Sequence, residues 1–368
     1  MTTDFLRGAD LSSLDEVERC GGEFFDNGKR GNAMSIMAAH GMNVVRLRLW
    51  NDPYSEDGKP YGAGTNDIET TLRLAKRAKA LNLSVLLDFH YSDFWADPGK
   101  QIMPKAWRAL DENALCAAVY RFTKSSLEYL KENGASPDIV AVGNEITKGL
   151  LWPLGKTPNF KNIARFTGAG LCAVREALPS AETMIHLDNG GNNDLYRTWF
   201  DSYFAAGGED FDIIGLSYYP FWHGKMNDLS QNMNDIAERY KKDLVVVETS
   251  MGFSLEDYAE HEKLSPDERK GGAATAILAE NVDYPMTADG QKRFLRDLKD
   301  AIRAVPDGRG KGFVWWEPAW IPVKGSQWST AAGLAYTGEN GPGGNEWANQ
   351  ALFDYDGNAL PALDEYKN

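Results

Sequence analysis

The chain has 368 residues, 43% of them hydrophobic, and a formal net charge of −14. That length supplies the core of one α/β barrel with long loops, or of two smaller domains. The acidic balance argues against nucleic acid and anionic membrane as partners, which it would repel, and suits a neutral substrate.

No run of 18 apolar residues is present, so no helical membrane span is expected, and the opening MTTDFLRGAD lacks the apolar core of a signal peptide. Cys20, Cys116 and Cys172 are odd in number and form no CxxC, and Cys116 and Cys172 sit in apolar helical contexts, so buried free thiols are expected.

Residues 5–11 read as a first strand, ending near Asp10, Ser12 and Ser13. NVVRLRLW (43–50) is a second; its Arg46 and Arg48 share one face, because strand side chains alternate. Two guanidiniums on a buried face need acidic partners. Asn66 or Asp67 caps a helix reaching about residue 82, with Ile68, Leu72 and Ala75 on its apolar side. SVLLDFH (84–90) is a third strand ending in His90, followed by a long loop rich in Trp, Asp, Pro and Gly. A helix over 111–131 stops at Asn133-Gly134. DIVAVGNE (138–145) is a short strand apolar on both faces that delivers Asn144 and Glu145 at its end.

The alternation continues with a helix over 161–178 and a strand ETMIHLDN (182–189) carrying Asp188. A loop rich in Gly and Asn follows, then a strand DIIGLSYYP (212–220) carrying Tyr219 and a helix over 226–241. DLVVVETS (243–250) repeats the build of 138–145 and ends in Glu248. A helix over 291–304 and a strand KGFVWWEP (311–318) with Trp316 complete the series. Eight strands with helices between most of them predict a single (β/α)8 TIM barrel domain over 1–368, with long loops at the C-terminal ends of the strands.

Catalytic groups of such a barrel stand at those ends. His90, Asn144, Glu145, Asp188, Tyr219, Glu248 and Trp316 all do. A carboxylate there is expensive to bury without a partner or a task. Two Glu facing one another across a cleft are the equipment of a glycosidase. The competing reading, structural acids held in ion pairs, is disfavoured by the gathering of polar groups at one end. Among the eleven Trp, Trp95, Trp222, Trp316 and Trp320 are candidate sugar platforms, whereas Trp50, Trp152 and Trp199 are expected to pack. The five His stand at no metal-ligand spacing, and no metal site is expected.

VGNEI (142–146) and VVETS (246–250) resemble the clan of retaining (β/α)8 glycosidases. Longer stretches narrow the match: LLDFHYSDFWADPGKQ (86–101), GNEITKGLLWPLGK (143–156), IHLDNG (185–190), GLSYYPFWHG (215–224), WWEPAWIP (315–322) and NQALFDYDGNALPAL (349–363). These are similar to glycoside hydrolase family 53, the endo-β-1,4-galactanases, over nearly the whole chain. The resemblance implies endo-cleavage of β-1,4-galactan, or of galacto-oligosaccharides, with retention of configuration. It assigns Glu145 as acid/base and Glu248 as nucleophile, Arg46 and Tyr219 as donors to Glu248, and Asn144 as the partner of the sugar 2-hydroxyl. His90 is expected to contact substrate or nucleophile, and Asp188 to support the site. The axial 4-hydroxyl of galactose curves the polymer, so a curved groove is expected.

The resemblance favours an extracellular bacterial monomer without cofactor. Some bacterial members bind calcium after strand seven through D-x-D-x-H-x-N. Here Asp257 and His261 match that pattern, but Ala259 and Lys263 fill its other two positions, so calcium is not expected. The rivals are an endo-glycanase acting on mannan, xylan or glucan, and a catalytically dead carbohydrate-binding barrel; the long motifs oppose the first and the intact Glu pair the second.

Overall fold

The computed structural model describes residues 5–259, 261–266 and 269–367. Eight parallel strands close into a barrel. They are β1 (Leu6–Asp10), β2 (Val44–Leu49), β3 (Ser84–Phe89), β4 (Ile139–Val142), β5 (Glu182–Leu187), β6 (Ile213–Tyr218), β7 (Asp243–Thr249) and β8 (Gly310–Trp315). Each pairs with the next in sequence, and β1 meets β8 with Leu6 opposite Gly312.

Parity along the strands explains where the polar groups go. Leu6, Val44, Leu86, Ile139, Met184 and Val314 belong to one buried cluster fed by the strands, the interior of the barrel. Side chains two residues apart point to the same face. So Val44 is followed inward by Arg46 and Arg48, Leu86 by Asp88 and His90, and Met184 by His186 and Asp188. The interior is therefore apolar at the N-terminal end and charged at the C-terminal end. Gly8 makes room in the apolar layer: a Cβ there would lie 2.7 Å from Val314 Cγ2 and 2.9 Å from Val44 Cγ1.

Helices packed outside include α1 (Ala33–Ala39), α2 (Ile68–Ala80), α3 (Glu112–Glu132), α4 (Phe160–Ala177), α5 (Asn193–Ala205), α6 (Met226–Tyr240) and α7 (Ala288–Arg303). Asp67 and Asp111 cap α2 and α3 by accepting the Thr70 and Ala114 amides. After β8 comes a short helix, Ala331–Thr337; the turn Pro361–Tyr366 covers the seam, and the Tyr366 hydroxyl donates to Gly8 O at 2.8 Å. Among the described residues no helix is long and apolar enough to cross a membrane. All three cysteines are free, but not buried as expected: Cys20 and Cys116 are half-buried and Cys172 is exposed on α4.

The barrel is as the sequence predicts, with two differences. Helices α1 and α5 stand where no helix is expected. In α5, NDLYRTWFDSYFA, the buried positions Tyr196, Trp199, Phe200 and Tyr203 follow helical spacing. Aromatic residues are weak helix formers, so burial decides this segment rather than propensity. The predicted strand 138–145 ends early, at Val142.

Leu86 is fully buried in the interior layer. Leu86→Ala is expected to lower unfolding stability by about 2–5 kcal/mol, read from the denaturant midpoint. A change below about 1 kcal/mol would show that the interior collapses around the cavity.

Candidate active site

Glu145 lies three residues beyond β4, and the chain reaches it by a sharp turn. Gly143 has φ +92°, and Glu145 itself has φ +46°, a left-handed conformation costly for a residue with a Cβ. The turn stops the strand and aims the carboxyl into the barrel mouth. Glu248 comes from the opposite side, within β7. The register between β6 and β7 shifts after Leu216, which sets Ser217 opposite Glu248. Such irregularities re-aim side chains beside functional sites.

Arg46 organises the floor. Its Nη1 donates to Asp10 Oδ2 at 2.8 Å, and its Nη2 donates to Asp88 Oδ2 and to Asn144 Oδ1, the latter at 2.7 Å. The same Nη2 lies 2.8 Å from Glu248 Oε1. The Tyr219 hydroxyl donates to Glu248 Oε2 at 3.0 Å. Burial pushes the Tyr219 hydroxyl well above its usual range, and so does Glu248, so it stays a donor. Burial raises Asp88 too, but Arg46 and His90 together outweigh this and hold its carboxyl down to about 2.

The two glutamates sit in opposite environments. Burial raises Glu248 to about 7; Arg46 and Tyr219 pull against it and favour the ionised form, while the charges of Asp10 and Asp88 add to the rise. Burial also raises Glu145, and there the charges of Glu248 and Asp188 add to it; only the Ser217 hydroxyl is opposed. His186 weakens that opposition. Its Nδ1 is 3.0 Å from Asn144 Oδ1 and its Nε2 is 2.8 Å from Ser217 Oγ. Asn144 Oδ1 accepts from Arg46, so Nδ1 carries the proton and Nε2 takes the hydroxyl proton of Ser217. Burial lowers the His186 pKa well below its usual value, which keeps the ring neutral. Of the pair, Glu145 keeps its proton more firmly and Glu248 ionises first.

Asn144 is fixed on three sides. Besides the two contacts to its oxygen, its Nδ2 donates to Ala96 O at 2.8 Å, and its backbone carbonyl accepts from Gln101 Nε2 at 2.8 Å. His90 is placed differently from expectation. Its Nδ1 accepts from Trp50 Nε1 at 3.1 Å and its Nε2 lies 3.5 Å from Asp88. Both its nitrogens are engaged in the barrel wall, and Asp88 in turn accepts from Arg46.

The aromatic residues divide. Trp95 stacks on Trp328 with ring centroids 4.5 Å apart, and Trp316 stands 5.9 Å from Trp95. Arg48 backs them, 4.6 Å from the Trp95 ring, and is itself paired with the buried Glu317. Trp320 is not a platform: it is 0% exposed, lies behind Trp328 and gives its Nε1–H to Ser326. Trp222 is 45% exposed, on the other side of the mouth. Trp50 and Trp199 are buried packing residues; Trp152 is half-buried beneath Lys156. Gln101, His186, Ser217, Glu317 and Trp328 escape sequence reasoning. For Ser217 and His186 the inward parity of β5 and β6 was the available signal.

Among the described residues after β7, the calcium pattern expected from relatives is incomplete. Asp257 Oδ1 already accepts the Gly272 amide at 2.9 Å, Ala259 offers no side-chain oxygen and Lys263 would repel a cation. Among the described residues no cluster of three or more His, Cys, Asp or Glu could hold a metal. Excess chelator is accordingly expected to leave the melting temperature unchanged; a fall reversed by added calcium would contradict this.

Residues 6–366 match the model of glycosyl hydrolase family 53. The chain is 40% identical to the "Uncharacterized protein in bgaB 5'region" of Niallia circulans, over 99% of this chain and 93% of that protein. It is 36% identical to the endo-beta-1,4-galactanase of Bacillus subtilis (strain 168), over 100% of this chain and 86% of that one. Among solved structures, the Ignisphaera aggregans GH53 catalytic domain superposes with a TM-score of 0.90 at 38% identity, covering 100% of this chain and 96% of that chain. With a match of this extent, the chain belongs to glycosyl hydrolase family 53.

Proposed function

We propose that this protein is an endo-acting, retaining glycoside hydrolase that cleaves β-1,4-galactosidic bonds in galactan and type I arabinogalactan. The observation that carries the mechanism is the asymmetry of the glutamates: Glu248 is held by Arg46 and Tyr219, whereas Glu145 faces negative charge. The substrate class follows from the family and from the B. subtilis relative.

Glu248 attacks the anomeric carbon while Glu145 gives its proton to the departing glycosidic oxygen. A glycosyl–Glu248 ester forms and the released chain leaves with that proton. Esterification removes the negative charge that, after burial, most strongly raises Glu145. Glu145 is then a carboxylate able to take a proton from water, whose oxygen displaces Glu248. Two displacements restore the β configuration. The second proton of Asn144 Nδ2 is the group offered to the sugar 2-hydroxyl.

Linear β-1,4-galactan is expected to yield short oligosaccharides, while β-1,3-galactan, mannan and xylan yield none. Glu145→Gln should reduce kcat on galactan by about 10²–10⁴-fold. Release from mannan or xylan alone would overturn the galactan reading.

The pH profile separates the two carboxyls. Tyr219→Phe removes a donor that favours ionised Glu248, so the acidic limb of kcat/KM should move to higher pH. Asp188→Asn removes a charge that raises Glu145, so the alkaline limb should move to lower pH. Both limbs moving together in either variant would contradict the assignment.

A further inference from the structure

Glu145 hangs from a peptide that is secured at one end only. Its backbone is left-handed, φ +46° and ψ +49°, which for a residue with a Cβ costs about as much as one hydrogen bond contributes. The turn therefore needs a hold, and the peptide joining Asn144 to Glu145 is where a hold acts. Rotating that peptide would relieve Glu145 and swing its carboxyl away from the barrel mouth. The N–H of this peptide is poorly served: it meets His186 Nδ1 at 3.4 Å, and that nitrogen already carries a proton. Its carbonyl is the secured end, because Gln101 Nε2 donates to Asn144 O at 2.8 Å.

Gln101 is itself well fixed. It lies in the loop after β3, 2% exposed, and the same Nε2 donates to Asp97 O at 3.3 Å, which uses the second amide proton. Its own carbonyl accepts the Trp152 N–H at 2.9 Å, beside a bridge between Ile102 and Trp152. Ala96 O, in the same loop, takes the Asn144 side-chain amide. The loop thus grips the chain on both sides of Glu145, at Asn144 before it and Trp152 after it. Lys100 anchors the loop in turn, with its Nζ 3.0 Å from Asp97 and 2.6 Å from Glu339 beyond β8. The position calls for a long side chain that donates; a carboxylate there would face two carbonyl oxygens.

We propose that Gln101 is a positioning residue for the acid/base: through the Asn144 carbonyl it sets where the Glu145 carboxyl meets the departing glycosidic oxygen. The inference rests on the reading of Glu145 as the acid, and is independent of which sugar is cleaved. Proton transfer requires hydrogen-bond reach, and a displacement of about 1 Å slows such a step about 10²-fold. The Gln101 amide donates to Asp97 and Asn144 and not to Arg46, Tyr219 or Glu248, so attack by the nucleophile keeps its geometry.

The test compares a substrate that needs the acid with one that does not. The sugar leaving from galactotetraose must be protonated, whereas 2,4-dinitrophenyl β-galactobioside expels a stable phenolate without a proton. For each, kcat/KM reports the steps up to that departure. In Gln101→Met, which fills similar space without a donor, kcat/KM for galactotetraose should fall about 10²-fold, and for the dinitrophenyl glycoside by no more than about twofold. The ratio of the two is independent of the fraction of protein that folds. If the Met variant is not recovered, Gln101→Asn, polar but one methylene short, is expected to shift the same ratio in the same direction. A loss shared equally by both substrates, or no loss on either, overturns the positioning role. Glu145→Gln is the control. If it lowers both substrates alike, the acid reading itself fails and this inference falls with it. If it separates them and the Gln101 variant does not, only the inference fails. Should the wild type cleave a different glycan, the matching tetrasaccharide and dinitrophenyl glycoside give the same decision.

Discussion

A guanidinium buried at the centre of the barrel mouth sets the terms for everything around it. Arg46 is 1% exposed, and an ion of that kind removed from water is tolerated only if its surroundings replace the lost solvation. Asp10 from β1, Asp88 from β3, Asn144 from beyond β4 and Glu248 from β7 do so. One side chain thus ties four parts of the wall together. Removing a partner from such a set costs about 3–5 kcal/mol, because the remaining charge is stranded. Within it Arg46 works against the burial that raises Glu248, whereas Asp10 and Asp88 add to that rise.

The second arginine has a different use. Arg48 is neutralised by Glu317, with Asp10 further off at 3.6 Å, and its face lies among Trp50, Trp95 and Trp316. A weakly hydrated, planar cation suits aromatic faces in a way an ammonium does not. Neighbouring inward positions on β2 therefore serve two ends: Arg46 supports the reacting carboxylate, and Arg48 stiffens an aromatic wall.

Much of this was legible in the sequence, because it follows from periodicity. The inward parity of β2, β3 and β5 puts Arg46, Asp88 and Asp188 at one end of the barrel without reference to any partner. The family motifs then pointed to Glu145 and Glu248. What stayed hidden depends on partners distant in the chain. Glu317 acquires its role only when Arg48, 269 positions away, arrives beside it. Trp320 and Trp222 look alike as letters, yet the Ser326 and Trp328 contacts bury one while the other stands in solvent. His90 was expected to contact substrate or nucleophile from its place at the active face and its family motif; its contacts to Trp50 and Asp88 could not be read from the letters.

The seam between β1 and β8 has a bearing on how the chain is made. Leu6 pairs with Gly312, and the Tyr366 hydroxyl closes over Gly8, 358 residues away in sequence. Loop closure over such separations is slow, and synthesis delivers the N-terminal part first. While the rest of the polypeptide is being translated, the β8-facing edge of β1 has no partner. The nascent barrel is an open, curling sheet with two unpaired edges until its last strand leaves the ribosome. A premature stop anywhere before β8 yields a sticky fragment, not a smaller enzyme.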